Sequence, residues 1–188
     1  MKRALFIPAI ALAFSMFATA QDNAAKKDTV KPYAGPAKVT LDSWNDIGRK
    51  LIAMAEDFPE DKYDFKPTPA QRSFAEQLLH AAGANYYFIN TVRGDKSKVD
   101  ENPSRDKYKS KADVVAFVKK SFADGAAVIK AKGDKGMSDL VVDPFSPQQL
   151  SVEDMANGFV EHDGEHYGQL AVYYRVAGMV PPESRPKK

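Results

Sequence analysis

Apolar side chains recur at steps of three and four residues in four stretches of the chain, which is the spacing of amphipathic helices. Four helices are predicted: from about Asp42 or Ser43 to Glu56, from Ser73 to Arg93, from Lys111 to Ala131, and from Ser151 to Gly178. Loops with turn residues separate them, and no stretch of useful length alternates between apolar and polar residues. The pattern therefore predicts an all-α protein, a four-helix bundle.

Short polar motifs mark the ends of these helices. Ser73 followed three residues later by Glu76 is a capping box, although Thr68-Pro69 is an alternative start for the second helix. The connection over residues 133–150 is long for a bundle, and connections of that length often carry function or cover a site. The run Leu140-Val141-Val142 within it is too short to predict a strand.

The first residues have the pattern of a secretory signal peptide. Lys2 and Arg3 precede an apolar run at 4–17, and the small residues at 18–20 suit cleavage after Ala20. The run is too short for a comfortable membrane span, so the mature protein is expected to be secreted or periplasmic, without stable membrane insertion. The remaining chain is divided into a flexible leader at 21–38, the bundle at 39–182 and a C-terminal tail at 183–188.

Composition excludes several classes of protein. Once Lys2 and Arg3 leave with the signal peptide, basic and acidic residues balance, and no basic stripe is interleaved with aromatic residues, so we expect no nucleic-acid partner. The chain has no cysteine, which rules out disulfides, thiolate ligands, thiol nucleophiles and a covalent c-type haem. An exported protein of this kind depends on packing for its stability, with a metal ion as a further source.

Two of the three histidines, His162 and His166, lie one helical turn apart on one face of the fourth helix. That face carries its apolar stripe, so both imidazoles are expected to point into the bundle. Such a pair can be two interior histidines with ordinary hydrogen bonds, but its spacing favours a metal site for zinc, nickel or iron. The third histidine, His80, could complete a three-histidine centre with an open position, although periodicity alone places it at the surface or boundary of the second helix.

The sequence resembles the DinB-like (DinB/YfiT) family over the whole predicted domain. The residues that carry the resemblance are Ser73-Phe74-Ala75-Glu76-Gln77-Leu78-Leu79-His80, then His162-x3-His166-x-Gly168-Gln169-Leu170, then Tyr174-Arg175-x2-Gly178-x2-Pro181-Pro182. The resemblance implies an up-down-down-up bundle with a long crossover, a divalent metal held by His80, His162 and His166, and dimerisation through helix faces. Glu165 and Tyr167 stand where the family often has a histidine and a basic residue, so contacts made by that surface can differ here.

Other residues could support the metal. Asp163 is the inward carboxylate nearest to the histidines in sequence, and it is a candidate general base or a hydrogen-bonding support for a ligand. Gln77, Tyr87, Gln169 and Tyr173 lie at helical spacing from the ligands, where they could line a pocket or belong simply to the core.

Two functional hypotheses follow. The first is an exported metal-dependent hydrolase that uses metal-bound water on an unknown small-molecule substrate. The second is a non-catalytic metal-binding or stress-related bundle, while a haem-binding bundle is disfavoured. Some relatives use a low-molecular-weight thiol, but such thiols belong to the cytosol, and the export signal argues against that activity.

Overall fold

Four long helices make up most of the described part of the chain, as the periodicity predicted. The computed structural model describes residues 33–94 and 99–186. The helices are α1 (Pro36–Asp57), α2 (Phe74–Arg93), α3 (Lys111–Gly136) and α4 (Val152–Val176), with two short 3-10 helices at Glu60–Lys62 and Pro182–Ser184. The prediction of an all-α four-helix bundle is confirmed.

Pairings between α1 and α4 show that these two helices run parallel. Lys50 lies over the ring of Tyr167, and further along both helices the carbonyl of Met54 accepts a hydrogen bond of 2.9 Å from the hydroxyl of Tyr174. Helix α1 also packs against α3, and α4 also packs against α2, whereas α1 and α2 lie diagonally across the bundle.

Helices α2 and α3 are parallel to each other as well. Tyr86 packs against Phe117, and Arg93 approaches Asp124 further along both helices. Since α2 runs antiparallel to α4, the order of directions is up, down, down, up, which confirms the predicted arrangement. Two parallel consecutive helices need a connection that returns along the bundle, and residues 99–110 are the described part of that crossover.

The crossover from α2 to α3 lies against α2. The side-chain amide of Asn90 donates to the carbonyl of Val99 at 3.1 Å and to the carboxylate of Glu101 at 3.0 Å. At Gly83 the crossover comes so close that a Cβ atom would lie 2.7 Å from the carbonyl oxygen of Glu101 and would overlap Pro103. This close packing places residues 99–103 of the crossover beside the part of α2 that contains Gly83 and Asn90.

The packed interior is centred on Trp44 of α1. Its indole N–H donates to the carbonyl of Phe122 at 2.9 Å, and its ring packs on those of Phe88 and Phe122. Gly125 allows this approach, because a Cβ atom there would overlap the indole ring. The bundle therefore brings three helices together around one aromatic side chain.

Helix ends agree with the capping signals except at α1 and α3. The capping box of Ser73 and Glu76 is confirmed. Helix α1 begins at Pro36, before the predicted Asp42, and includes residues 36–38 that the sequence assigned to the leader. Proline suits the first helical position, and an exposed first turn carries no periodic signal. Helix α3 continues past a kink at Gly133, where φ is 58°, and ends at Gly136.

A short β-hairpin precedes α4, and it includes the run Leu140-Val141-Val142 that was too short to predict as a strand. Strands β1 (Leu140–Val142) and β2 (Gln149–Ser151) pair antiparallel. The turn between them is held by Asp143, whose carboxylate accepts from the amide of Phe145 at 2.9 Å and from the hydroxyl of Ser146 at 2.7 Å. Pairing with a partner strand and this turn stabilise three-residue strands that carry too little pattern alone.

Several predictions concern residues at the ends of the chain. The predicted signal peptide at 1–20 and the leader at 21–32 lie outside the described residues. Within the predicted tail, Glu183 pairs with Arg49 at 2.6 Å and Arg185 pairs with Asp57 at 2.6 Å, so its described part is docked on α1. No helix in the described part of the chain is long and apolar enough to cross a membrane.

Candidate metal centre

The three histidines of the chain meet between α2 and α4. His80, His162 and His166 each offer one ring nitrogen, and these three atoms all lie within 4.8 Å of one another. The ring centroids are 4.3 Å apart for His162 and His166, 4.8 Å for His80 and His166, and 5.4 Å for His80 and His162. Two helices that run antiparallel thus bring together residues more than eighty positions apart in sequence.

Packing around α2 explains why periodicity left His80 at a boundary. Helix α2 contacts α3 and α4 and is flanked by the crossover, so it is buried on more faces than a helix with one apolar stripe. His80 is half-buried at the edge that faces α4. His162 is also half-buried, while His166, one turn deeper, is only 5% exposed.

Gln77 holds the deepest histidine in place. Its side-chain amide lies 2.6 Å from Nδ1 of His166 and also hydrogen-bonds the side chain of Gln169. Nε2 of His166 faces Nε2 of His162 at 3.0 Å, so the Nε2 atoms converge on the cluster. The atom of Gln77 that faces Nδ1 is its amide nitrogen; a metal on Nε2 would put the proton of His166 on Nδ1, and the amide of Gln77 would have to be flipped for its oxygen to accept that proton.

Burial keeps the three imidazoles neutral. Desolvation is the main cause that lowers the pKa of His80 to about 4, and the positive charges of Arg72 and His162 add to it. Desolvation, followed by repulsion from the other two histidines, lowers the pKa of His166 to about 3. The pKa of His162 is also lowered by burial. Neutral imidazoles offer the lone pairs that a metal ion needs.

The donor set fits a divalent metal ion. Three neutral nitrogens converge with no thiolate or carboxylate among them, a set that suits zinc, nickel or iron. Nδ1 of His162 is buried without a hydrogen-bond partner among the described residues. A cluster of imidazoles in contact and short of partners is costly on its own, and a shared cation would remove that cost.

Asp163 follows His162 in sequence but lies in the packed core of the bundle. It is completely buried, and neither of its carboxylate oxygens has a hydrogen-bond partner among the described residues. Desolvation raises the pKa of this carboxyl well above its ordinary value, and the amide of Asn85 beside it opposes the rise. The side chain lines neither of the two cavities that border the histidines. This position suits a core carboxyl better than a base that takes a proton from a substrate or a water molecule.

Two cavities border the histidine cluster. One, of about 540 Å³, is mainly apolar and lies under the β-hairpin, where Tyr87 and Phe145 pack on each other. The other, of about 610 Å³, is mainly polar and lies between the start of α2 and the crossover. His80 borders both cavities and His162 borders the apolar one, so the cluster is reachable from two sides.

The residues predicted to line a pocket have different positions. Tyr87 lines the apolar cavity, whereas Gln77 and Gln169 support His166. Tyr173 is buried, and its hydroxyl donates to the carbonyl of Arg72 at 2.7 Å, which ties α4 to the segment before α2.

Sequence reasoning missed Arg72, Asn102 and Phe145, which line the cavities. All three belong to connections between helices, where no periodicity indicates the direction of a side chain. The length of the connection at 133–150 was the one available signal, and it pointed to the hairpin that holds Phe145.

Comparison with known proteins identifies a family and a fold. A family model described as the DinB superfamily matches residues 45–170. No curated protein matches the chain.

Solved structures share the fold. A DinB-like protein from Bacillus cereus is 16% identical with a TM-score of 0.66, and the match covers 77% of this chain and 95% of that one. A DinB-like protein from Bacillus subtilis, YjoA, is 16% identical with a TM-score of 0.59, over 79% of this chain and 99% of that one. YfiT from Bacillus subtilis, described as a probable metal-dependent hydrolase with an unusual four-helix bundle topology, is 14% identical with a TM-score of 0.59, over 80% of this chain and 94% of that one.

Proposed function

The chain belongs to the DinB superfamily, and we propose that it is an exported hydrolase that holds one divalent metal ion with His80, His162 and His166. The observation that carries the proposal is the convergence of three neutral imidazole nitrogens beside two open cavities. The description of YfiT as a probable metal-dependent hydrolase supports the same class of activity. Export rests on the signal pattern of residues 1–20.

A bound divalent ion would supply a Lewis acid that polarises a substrate oxygen and lowers the pKa of a water molecule. The chain contributes the rest of the site. His166 is oriented by Gln77, which fixes the nitrogen that faces the cluster. Tyr87 and Phe145 provide aromatic surface on the apolar side of the cluster, while the cavity on the other side is mainly polar.

Elemental analysis tests the metal site. Mature protein purified without an affinity tag is compared with His162→Asn and with Glu165→Gln, a matched change on the exposed side of the same helix. We expect about one equivalent of zinc, nickel or iron in the wild type and in Glu165→Gln, and a large loss in His162→Asn. Absence of metal from the wild type, even after reconstitution with each ion, would refute the site.

Hydrolysis of ester, amide and phosphoester panels tests the activity. Turnover that depends on the metal and disappears in His162→Asn supports the hydrolase. The alternative is a non-catalytic metal-binding bundle, and the burial of Asp163 favours it, because the inward carboxyl nearest to the histidines in sequence does not border the cavities. It predicts that metal raises the melting temperature while no panel is turned over.

A further inference from the structure

The two cavities at the metal centre have opposite character and meet at two residues. His80 and Asn102 line both of them. The side-chain amide of Asn102 donates to the hydroxyl of Tyr87 at 3.0 Å, which fixes the wall between α2 and the crossover. A molecule that extends from one cavity into the other therefore passes the histidine cluster.

The polar cavity contains an unpaired cation. Of its three basic side chains, Lys66 lies 3.4 Å from Glu76, and Arg105 pairs at 2.9 Å with Asp64. The guanidinium of Arg72 has no ion pair within residues 33–94 and 99–186. A guanidinium presents a planar set of donors that matches a carboxylate or a phosphate.

Arg72 lines the same cavity as His80, so the guanidinium and one histidine of the cluster border one space. In agreement with that position, the positive charge of Arg72 adds to the burial that lowers the pKa of each of the three histidines. The backbone carbonyl of Arg72 is held by Tyr173, so the base of this side chain is fixed on the bundle. The remaining carboxylate of the cavity, Asp106, belongs to the crossover.

The apolar cavity would reject an acidic group. Met155 and Phe159 of α4 form part of its wall, and the hairpin covers it with Phe145. Apart from its histidines, the ionisable residues of this cavity are two carboxylates, Asp143 and Asp154. Both carboxylates accept hydrogen bonds from neighbouring hydroxyls, and that of Asp143 also accepts one from a backbone amide. Like charges repel, so an anionic group is favoured at the Arg72 end and disfavoured at the hairpin end.

We propose that the substrate is a small organic acid with an apolar body, bound with its acidic group at Arg72 and its body under the hairpin. The inference rests on the proposed function, since it places the bond between those two parts at the metal. The apolar cavity of about 540 Å³ is within the range that holds a small molecule. Carboxylate and phosphate esters that carry a free acid are the corresponding class.

Two unreactive probe compounds distinguish the effect of a ligand's charge on binding from the effect of its shape. Phenylbutanoate and phenylbutanol share an apolar body and differ in the acidic group. Calorimetric titration of metal-loaded and metal-stripped protein should show tighter binding of the acid in both forms. Arg72→Met is expected to weaken acid binding by about tenfold and to leave the alcohol within about twofold, the loss of one charge-assisted contact. Arg175→Met makes the same charge change on exposed α4 and should bind as the wild type does.

A second pair of variants tests the apolar end. Gly158 lines the apolar cavity, and a Cβ atom there would have no heavy atom within 4 Å, so Gly158→Leu fills the cavity without disturbing the helix. Gly168 on the same helix is equally open and lies outside both cavities, which makes Gly168→Leu the matched control. We expect Gly158→Leu to weaken both probes and Gly168→Leu to weaken neither.

Metal content, measured in the same samples, separates the two proposals. If the wild type holds metal but binds acid and alcohol equally, or if Arg72→Met keeps the preference, the substrate class is wrong and the hydrolase proposal stands. If an acid preference disappears with the metal and survives Arg72→Met, the acid binds the ion and the role of Arg72 is overturned. If no metal binds but Arg72→Met removes the preference, the two-ended site stands and the hydrolase proposal fails.

Discussion

The buried carboxyl of Asp163 makes a sharp prediction about stability. Asp163→Asn keeps the shape of the side chain and removes its ability to ionise. Because burial raises the pKa of Asp163 in the folded protein, the folded state retains a proton that the unfolded chain releases above its ordinary aspartate pKa of 3.8. The contribution of Asp163 to the free energy of unfolding must therefore fall as the pH rises from that value, until the buried carboxyl itself ionises.

The magnitude follows from proton linkage. One proton bound by the folded state and not by the unfolded state lowers the free energy of unfolding by about 1.4 kcal/mol for each pH unit. Near pH 4 the wild type and Asp163→Asn should have similar stability. Towards neutral pH the asparagine variant should become progressively more stable than the wild type.

Urea unfolding of metal-free protein, followed by circular dichroism from pH 4 to pH 8, measures this difference. The histidines contribute equally to both proteins, so their titration cancels. Asp61→Asn, at an exposed position, serves as the control and should stay within about 0.5 kcal/mol of the wild type at every pH. Parallel stability curves for the wild type and Asp163→Asn would show that the carboxyl is already ionised in the fold, contrary to its burial.

Three further changes probe the packing, the support of the metal and the protonation of a ligand. Gly125→Ala places a methyl group against the indole of Trp44 and should lower the free energy of unfolding by about 1–3 kcal/mol in urea titrations, and a neutral result would mean that the ring has room to move. Gln77→Leu removes the hydrogen bond to His166 and should weaken metal affinity by about 10–100-fold in competition with a chelator, whereas unchanged affinity would leave Gln77 a packing residue. Because burial lowers the pKa of His80 to about 4, the unfolded chain takes up the proton first, so metal-free protein should gain stability as the pH rises from about 4 to 6.5. His80→Gln should flatten that rise, and an unchanged slope would place the effect on other groups.

Most of the fold could be predicted from the sequence, because the apolar residues of an amphipathic helix recur with the helical period. Ser73 and Glu76 marked the start of α2 correctly, since a capping box depends only on local residues. The β-hairpin could not be predicted because its three-residue strands are stabilised by pairing with each other. Pairing is a contact between segments, and the local sequence pattern does not show it. The first turn of α1 could not be predicted for a related reason: Lys38 and Val39 are exposed, and Pro36 and Ala37 are only partly buried, so this turn has no clear apolar stripe.

The residues of the candidate site also divide into those that the local sequence could place and those that it could not. His162 and His166 share a helix, so their spacing alone placed them together. His80 depended on knowing that α2 packs antiparallel to α4, and only the resemblance to a family supplied that information. The position of Arg72 beside the histidines could not be predicted, because it depends on the path of a connection between helices. That path is set by the assembled bundle and not by any single segment.

The diagonal placement of α1 and α2 has a consequence for how the chain acquires its structure. In a simple up-and-down bundle each helix can dock on its predecessor as a hairpin, which keeps contact order low and folding fast. Here α1 makes its main contacts with α3 and α4, and α2 does the same, so neither half of the chain forms a packed pair alone. The consecutive helices that do pack on each other, α2 and α3, are joined by the long crossover and not by a tight turn, and the histidine cluster can assemble only after α4 has docked. We expect slower folding than for a hairpin-built bundle of the same size, and no stable fragment that ends before α4.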